Sequence, residues 1–156
     1  MKKMISLLLA LVLCFGLCAC GTEPQQETTE PSTLENAPGT AKIDDCIIEI
    51  TDCKAQINSM TNEMIAVVWV DFTNNSDQAK SLFFTAKIRA FQNGIEIKTP
   101  STWWPSRHGI DKRDTDQVLP GYSLSTGYAF SLDDTSPVLI QICKGTTVVS
   151  EITFNI

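Results

Sequence analysis

From residue 43 to the C-terminus the chain places apolar side chains at every second position. Cys46, Ile48 and Ile50 share one parity, with Glu49 and Thr51 on the other. Met64, Ala66, Val68, Val70 and Phe72 form a second row, and Leu82, Phe84, Ala86, Ile88 and Ala90 a third. Tyr122, Leu124, Thr126, Tyr128, Phe130 and Leu132 form a fourth, whose alternate positions are all small, before the shorter runs Val138–Ile142 and Val148–Ile156. A period of two is that of a half-buried strand, whereas an amphipathic helix needs spacings of three and four. No helix-length amphipathic segment interrupts the pattern. Many short strands with few residues between them bury their apolar faces as two antiparallel sheets packed together. The expected fold is therefore all-β, an immunoglobulin-like antiparallel β-sandwich of about seven strands over residues 43–156.

The breaks between rows carry turn chemistry. Asn74-Asn75-Ser76-Asp77 ends the second row, Asn93-Gly94 is the dipeptide suited to a two-residue hairpin, and Pro120-Gly121 precedes the fourth. Asp52–Ile57 is expected to continue the first strand past a bulge. Trp69 has the parity opposite the core row and is expected to be half covered by a neighbouring loop. Residues 99–117 form the longest connection.

Upstream of the domain the composition changes twice. Lys2 and Lys3 precede an apolar run from Met4 to Leu17, too short for a membrane span, which needs about 20 apolar residues. The run ends in Leu17-Cys18-Ala19-Cys20-Gly21 and resembles a bacterial lipoprotein signal. That resemblance implies cleavage after residue 19 and diacylglycerol on Cys20, since Cys14 and Cys18 each follow a bulky leucine. Several acyl chains hold a protein at a membrane durably where one does so reversibly. Residues 20–42, rich in Glu, Gln, Thr and Pro, hold only one large apolar residue, Leu34, and read as a flexible tether. The mature protein is expected on the outer face of the cytoplasmic membrane.

Removal of Lys2 and Lys3 takes the formal charge from −6 to −8. An acidic domain without clustered Lys and Arg is a poor partner for nucleic acid or anionic headgroups. Beyond Cys20 only Cys46, Cys53 and Cys143 remain. On one extended strand Cys46 and Cys53 would stand roughly 23 Å apart, beyond disulfide reach. Cys53 and Cys143 both have the outward parity and are the expected pair, with Cys46 pointing inward; three free buried thiols are the alternative.

Phe72-Thr73-Asn74-Asn75-Ser76-Asp77, Phe91-Gln92-Asn93-Gly94-Ile95-Glu96 and Pro120-Gly121 ahead of a strand occur in that order. In this they resemble a family of immunoglobulin-like domains of unknown function found in lipoproteins of Gram-positive bacteria. The resemblance implies an extracellular sandwich and brings no catalytic residue with it.

Trp103 and Trp104, with Arg107 and His108, are the candidate ligand-binding residues. Adjacent indoles in a loop stack on sugar rings or anchor a protein partner. The alternative is that they fold back over an open end of the sandwich. Asp111, Asp114 and Asp116 offer carboxylates, but Lys112 and Arg113 sit among them and the glycine of a calcium loop is missing, so a solvated turn is expected and no metal site. His108 is the single histidine, and no nucleophile motif surrounds it. No cofactor motif is present either. The expected function is a non-catalytic binding or structural module for an envelope protein or cell-wall glycan; the alternative is a small extracytoplasmic hydrolase using His108.

Overall fold

The computed structural model describes residues 37–102 and 111–156. The alternating rows form eight strands in two four-stranded antiparallel sheets. In chain order these are β1 (Thr40–Ile43), β2 (Cys46–Ile57), β3 (Met64–Asn74), the single helical turn α1 (Leu82–Thr85), β4 (Lys87–Gln92) and β5 (Ile95–Ile97). After the long connection come β6 (Ser123–Ser131), β7 (Val138–Lys144) and β8 (Thr147–Phe154). One sheet runs β1-β2-β3-β6 and the other β5-β4-β7-β8. The result is the β-sandwich the periodicity implies, with its first strand beginning at Thr40, inside the stretch read as tether.

The core lies between the sheets. Ile48, Val68, Val70 and Phe72 from one sheet and Ala90, Val138, Ile140 and Ile142 from the other are fully buried within one cluster. β3, paired on both sides, is also buried on its outer face, where Ile65, Val67 and Ala129 form a small second cluster. Trp69 packs against that cluster with Lys54 Nζ 5.5 Å from its ring centroid. The small residues of β6 are thus close-packed there, because Ala129 and Gly127 stand opposite Val67 and Trp69.

Bulges decide which way the cysteines point. The register of β2 against β3 slips between Ile50 and Asp52, so the parity reverses and Cys53 turns inward, 5% exposed in the main cluster. Cys143 is buried outside that cluster, beside the Arg89 guanidinium on the outer side of β7. The expected Cys53–Cys143 bridge is not formed; Cys46, Cys53 and Cys143 are all free. Cys46 does point inward, its Sγ donating to Asn74 Oδ1 at 3.7 Å.

The third row also departs from expectation. Its N-terminal half is α1, in which the Thr85 N–H and hydroxyl both donate to Ser81 O, at 3.2 and 2.8 Å, and Ala86 N donates to Leu82 O at 2.9 Å. Leu82 and Ala86 are buried, while Phe84, expected inward, is 82% exposed. Residues i and i+4 share a face in a helix and in a strand alike, so only the middle member of the row distinguishes the two. Tyr122 likewise lies before β6 begins and is exposed.

Buried amides hold the turns. Asn74 at the end of β3 donates through Nδ2 to Gln78 O at 2.7 Å and Val118 O at 2.8 Å. Its Oδ1 accepts from Ser76 N at 3.0 Å and Ser76 Oγ at 2.6 Å. Gln92 at the end of β4 donates to Asp134 O and Ser136 O and accepts from Asp133 N at 2.9 Å. Asn93 and Gly94 then take φ of 52° and 80°, the left-handed values a tight hairpin of this kind requires. Asn58 donates to Thr102 O at 2.6 Å, tying the β2–β3 turn to the start of the long connection.

Candidate functional site

β6 is an edge strand of its sheet, and the returning end of the long connection is bound to it. Thr126 Oγ1 donates to Asp111 O at 3.2 Å and accepts from Arg113 N at 2.9 Å. Phe83 N donates to Asp114 O at 2.8 Å, so the same segment holds α1. Between them lies a cleft of about 430 Å³, lined by Phe83, Ala86, Lys87, Ile88, Thr99, Lys112, Asp114, Tyr128 and Phe130. Two further clefts, beside Tyr122 and beside Phe84, are each about 270 Å³.

Tyr128 and Phe130 are consecutive same-face residues of β6, and their rings lie nearly parallel, 19° apart in plane with centroids at 6.5 Å. Phe83 adds a third ring, 57% exposed and edge-on to Phe84 at 5.1 Å. Burial pushes the Tyr128 phenol well above its ordinary value, and the Asp114 carboxylate beside it pushes the same way. Asp114 is 5% exposed, an unusual position for a carboxylate. Lys87 and Lys112 are exposed. The cleft has one exposed ring, Phe83, while Phe130 is 5% exposed within the core cluster and Tyr128 packs against that cluster; a sheltered pair of oxygen groups and exposed ammonium side chains complete its lining.

The sequence-derived candidates fall differently. Cys20, Trp103, Trp104, Arg107 and His108 lie outside the described residues. Thr99 and Lys112, which flank the loop carrying the tryptophans in sequence, both line the cleft. The three aspartates diverge: Asp116 pairs with Arg113 Nε at 2.8 Å, Asp114 faces Tyr128, and Asp111 offers its backbone carbonyl to Thr126. Among the described residues no three His, Cys, Asp or Glu side chains converge as metal ligands would. Phe83, Asp114, Tyr128 and Phe130 were not legible as one site. The available signal was the adjacent Phe83-Phe84 pair, since an aromatic doublet cannot send both rings into one sheet face.

A family profile described as a domain of unknown function, DUF5067, matches residues 22–144. The chain belongs to this family. The DUF5067 match spans every strand from β1 to β7, including all three turn motifs. Among curated proteins none matches the chain in sequence. Two solved structures resemble the DUF5067 fold seen here. A candidate lipoprotein from Staphylococcus aureus subsp. aureus NCTC 8325 superposes with a TM-score of 0.60 at 8% identity, over 77% of this chain and 90% of that one. A candidate lipoprotein, ycdA, from Bacillus subtilis subsp. subtilis str. 168 gives 0.53 at 11% identity, over 78% of this chain and 39% of that one. At these identities the likeness is one of fold. No helix among the described residues is long and apolar enough to cross a membrane.

Proposed function

We propose that this DUF5067 protein is a lipid-anchored lipoprotein on the outer face of the cytoplasmic membrane, whose sandwich is a non-catalytic binding module acting through the cleft between α1 and β6. The observation that carries the reading is the cleft itself. It is the largest of the three described above, and it combines the exposed Phe83 ring with a sheltered carboxylate. Phe83, on the wall of this cleft, stays 57% exposed. The anchor rests on Leu17–Gly21 and on the candidate lipoproteins that share the fold. Loops and edges on a rigid sandwich are also where recognition residues gather.

Two measurements test the two halves. Metabolic labelling with a fatty-acid analogue should mark the native chain and spare Cys20→Ala; equal labelling of both refutes the anchor. Retention on envelope extract and wall fragments should fall for Phe83→Ser and persist for His108→Ala. Retention unaffected by Phe83→Ser removes the cleft, and an activity abolished by His108→Ala replaces the binding reading with a hydrolytic one.

A further inference from the structure

Phe84, 82% exposed, does not stand alone in water. Gln117 lines both the cleft beside Phe84 and the one beside Tyr122, so the surface continues to Leu119 and Tyr122, which are 61% and 67% exposed. Phe83, edge-on to Phe84 at 5.1 Å, carries it to the rim of the α1–β6 cleft. All four lie toward the end of the sandwich where β1 and β3 finish and β4 and β6 begin. Lys80 lines the cleft of Phe84, and the exposed Lys87 and Lys112 line that of Phe83. The three carboxylates that line these clefts are already engaged or sheltered. Asp44 accepts from Lys144 Nζ at 2.5 Å, Asp116 accepts from Arg113 Nε at 2.8 Å, and Asp114 is 5% exposed. What remains on the surface is apolar area rimmed by ammonium groups.

Exposed rings among lysines match the interfacial zone of an anionic bilayer, where rings sit at headgroup depth and ammonium groups reach the phosphates. We propose that this end of the sandwich rests on an anionic phospholipid surface, with Phe84, Leu119 and Tyr122 among the headgroups and Lys80, Lys87 and Lys112 on their phosphates. The inference rests on the anchor at Cys20 and goes beyond the cleft. The chain from Cys20 to Ala37 can extend about 60 Å at most, while Asp44, in the cleft of Phe84, is within about 25 Å of Ala37 along the chain. The attachment is therefore long enough to let this face touch the leaflet. Anchoring also holds the domain at a roughly millimolar effective concentration, so a contact too weak for a free acidic protein suffices. The net charge of −6 then selects the orientation, because an anionic surface repels the domain except through its basic face.

The test uses the lipidated chain in vesicles containing phosphatidylglycerol or phosphatidylcholine alone, with an environment-sensitive thiol dye on Phe84→Cys or Ile95→Cys. Cys46, Cys53 and Cys143 are buried and an acylated Cys20 has no free thiol, so only the introduced position takes the dye. Ile95, 67% exposed at the far end of β4 from α1, is the control. On phosphatidylglycerol the dye at position 84 should blue-shift and be quenched by a lipid-borne quencher, and the dye at position 95 should do neither. Lys112→Ala should lower the ratio of docked to free domain about fivefold, the effect of one lysine near an anionic surface, and neutral vesicles should lower it further. A dye at position 84 that stays in water while the chain floats with the vesicles overturns the inference and leaves the anchor standing. Docking that is equal on neutral vesicles or indifferent to Lys112→Ala overturns it as well. Shielding that appears only with added envelope protein, without lipid-borne quenching, replaces the lipid surface with a protein partner. If the chain does not float with the vesicles, the anchor and this inference fall together.

Discussion

Asn74 and Ser81 stand a few residues apart between β3 and α1, both essentially buried, yet they are opposites in bonding. Asn74 uses both Nδ2 protons and Oδ1 to gather the 75–78 turn and the strand-like contact at Val118. Ser81, 2% exposed, leaves its Oγ with no partner, and it does not cap the helical turn that follows. Nearly every buried polar group in a protein is paired, so an orphan hydroxyl marks a place not optimised for stability. The two aromatic rings beyond it, Phe83 and Phe84, are exposed for the same lack of local pressure. The difference separates a turn built to hold the sandwich from a turn that faces the cleft.

The comparison predicts stability effects of graded size and sign. Asn74→Ala should have the largest, a loss of about 3 to 5 kcal/mol, because at a fully buried site it removes both Nδ2 bonds and the Oδ1 acceptor shared by Ser76 and Cys46. Chemical denaturation measures it, and a loss under about 1 kcal/mol would dissolve the contrast. Gln92→Ala tests the same principle at the other clamp, with a loss of about 2 to 4 kcal/mol.

Alkali should act next. Burial pushes the Cys53 thiol from 9.0 up to about 12, with Asp52 reinforcing the shift. A raised thiol pKa means that folding favours the neutral form. Its contribution is therefore fully present below the unfolded value near 9 and lost as pH rises from there toward 12. Urea midpoints measured across that window should fall for the native chain and stay flatter for Cys53→Ala. In the folded chain all three thiols of the domain should resist alkylation at neutral pH, and all three should react after unfolding. A Cys53–Cys143 cross-linked peptide in a non-reducing map would contradict the structure.

Ser81→Ala should do the opposite of Asn74→Ala, raising stability by about 1 kcal/mol through removal of an unpaired buried hydroxyl. A comparable loss would mean that the hydroxyl has a partner in solution. Phe84→Ala should be smallest, within about 0.5 kcal/mol either way, since the side chain is almost wholly exposed. A large loss there would place the ring in the core and return the third row to a strand.

Much of the sandwich was legible because alternation is a local signal that survives burial. β3 appears with the expected row inward, and the β2 bulge falls where the first strand was expected to break. The turn motifs were legible only as turns. Asn74, Gln92 and Gly121 prove to be their working parts: two amides clamp loops, and Gly121 N donates to Asn74 O at 2.7 Å. Nothing in Phe72–Asp77 states which distant carbonyls an asparagine will reach. The cleft was less legible still, since Phe83, Asp114 and Tyr128 come from three separate segments.

The class of fold, the hairpin at Asn93-Gly94 and the inward face of most strands follow from side-chain period and allowed backbone angles, which are local properties of the chain. The sequence also supplied the reading of an anchored chain ahead of the domain. Three matters depended on long-range packing. The slip between Ile50 and Asp52 turned Cys53 into the core and away from Cys143. The helical turn at Leu82–Thr85 put Phe83 and Phe84 outside. The docking of Asp111 and Arg113 on Thr126 of β6 brought Asp114 to Tyr128. Each depends on where one extra residue or one distant carbonyl falls. A one-residue shift reverses every following side chain of a strand, and no local pattern encodes the contact that selects it.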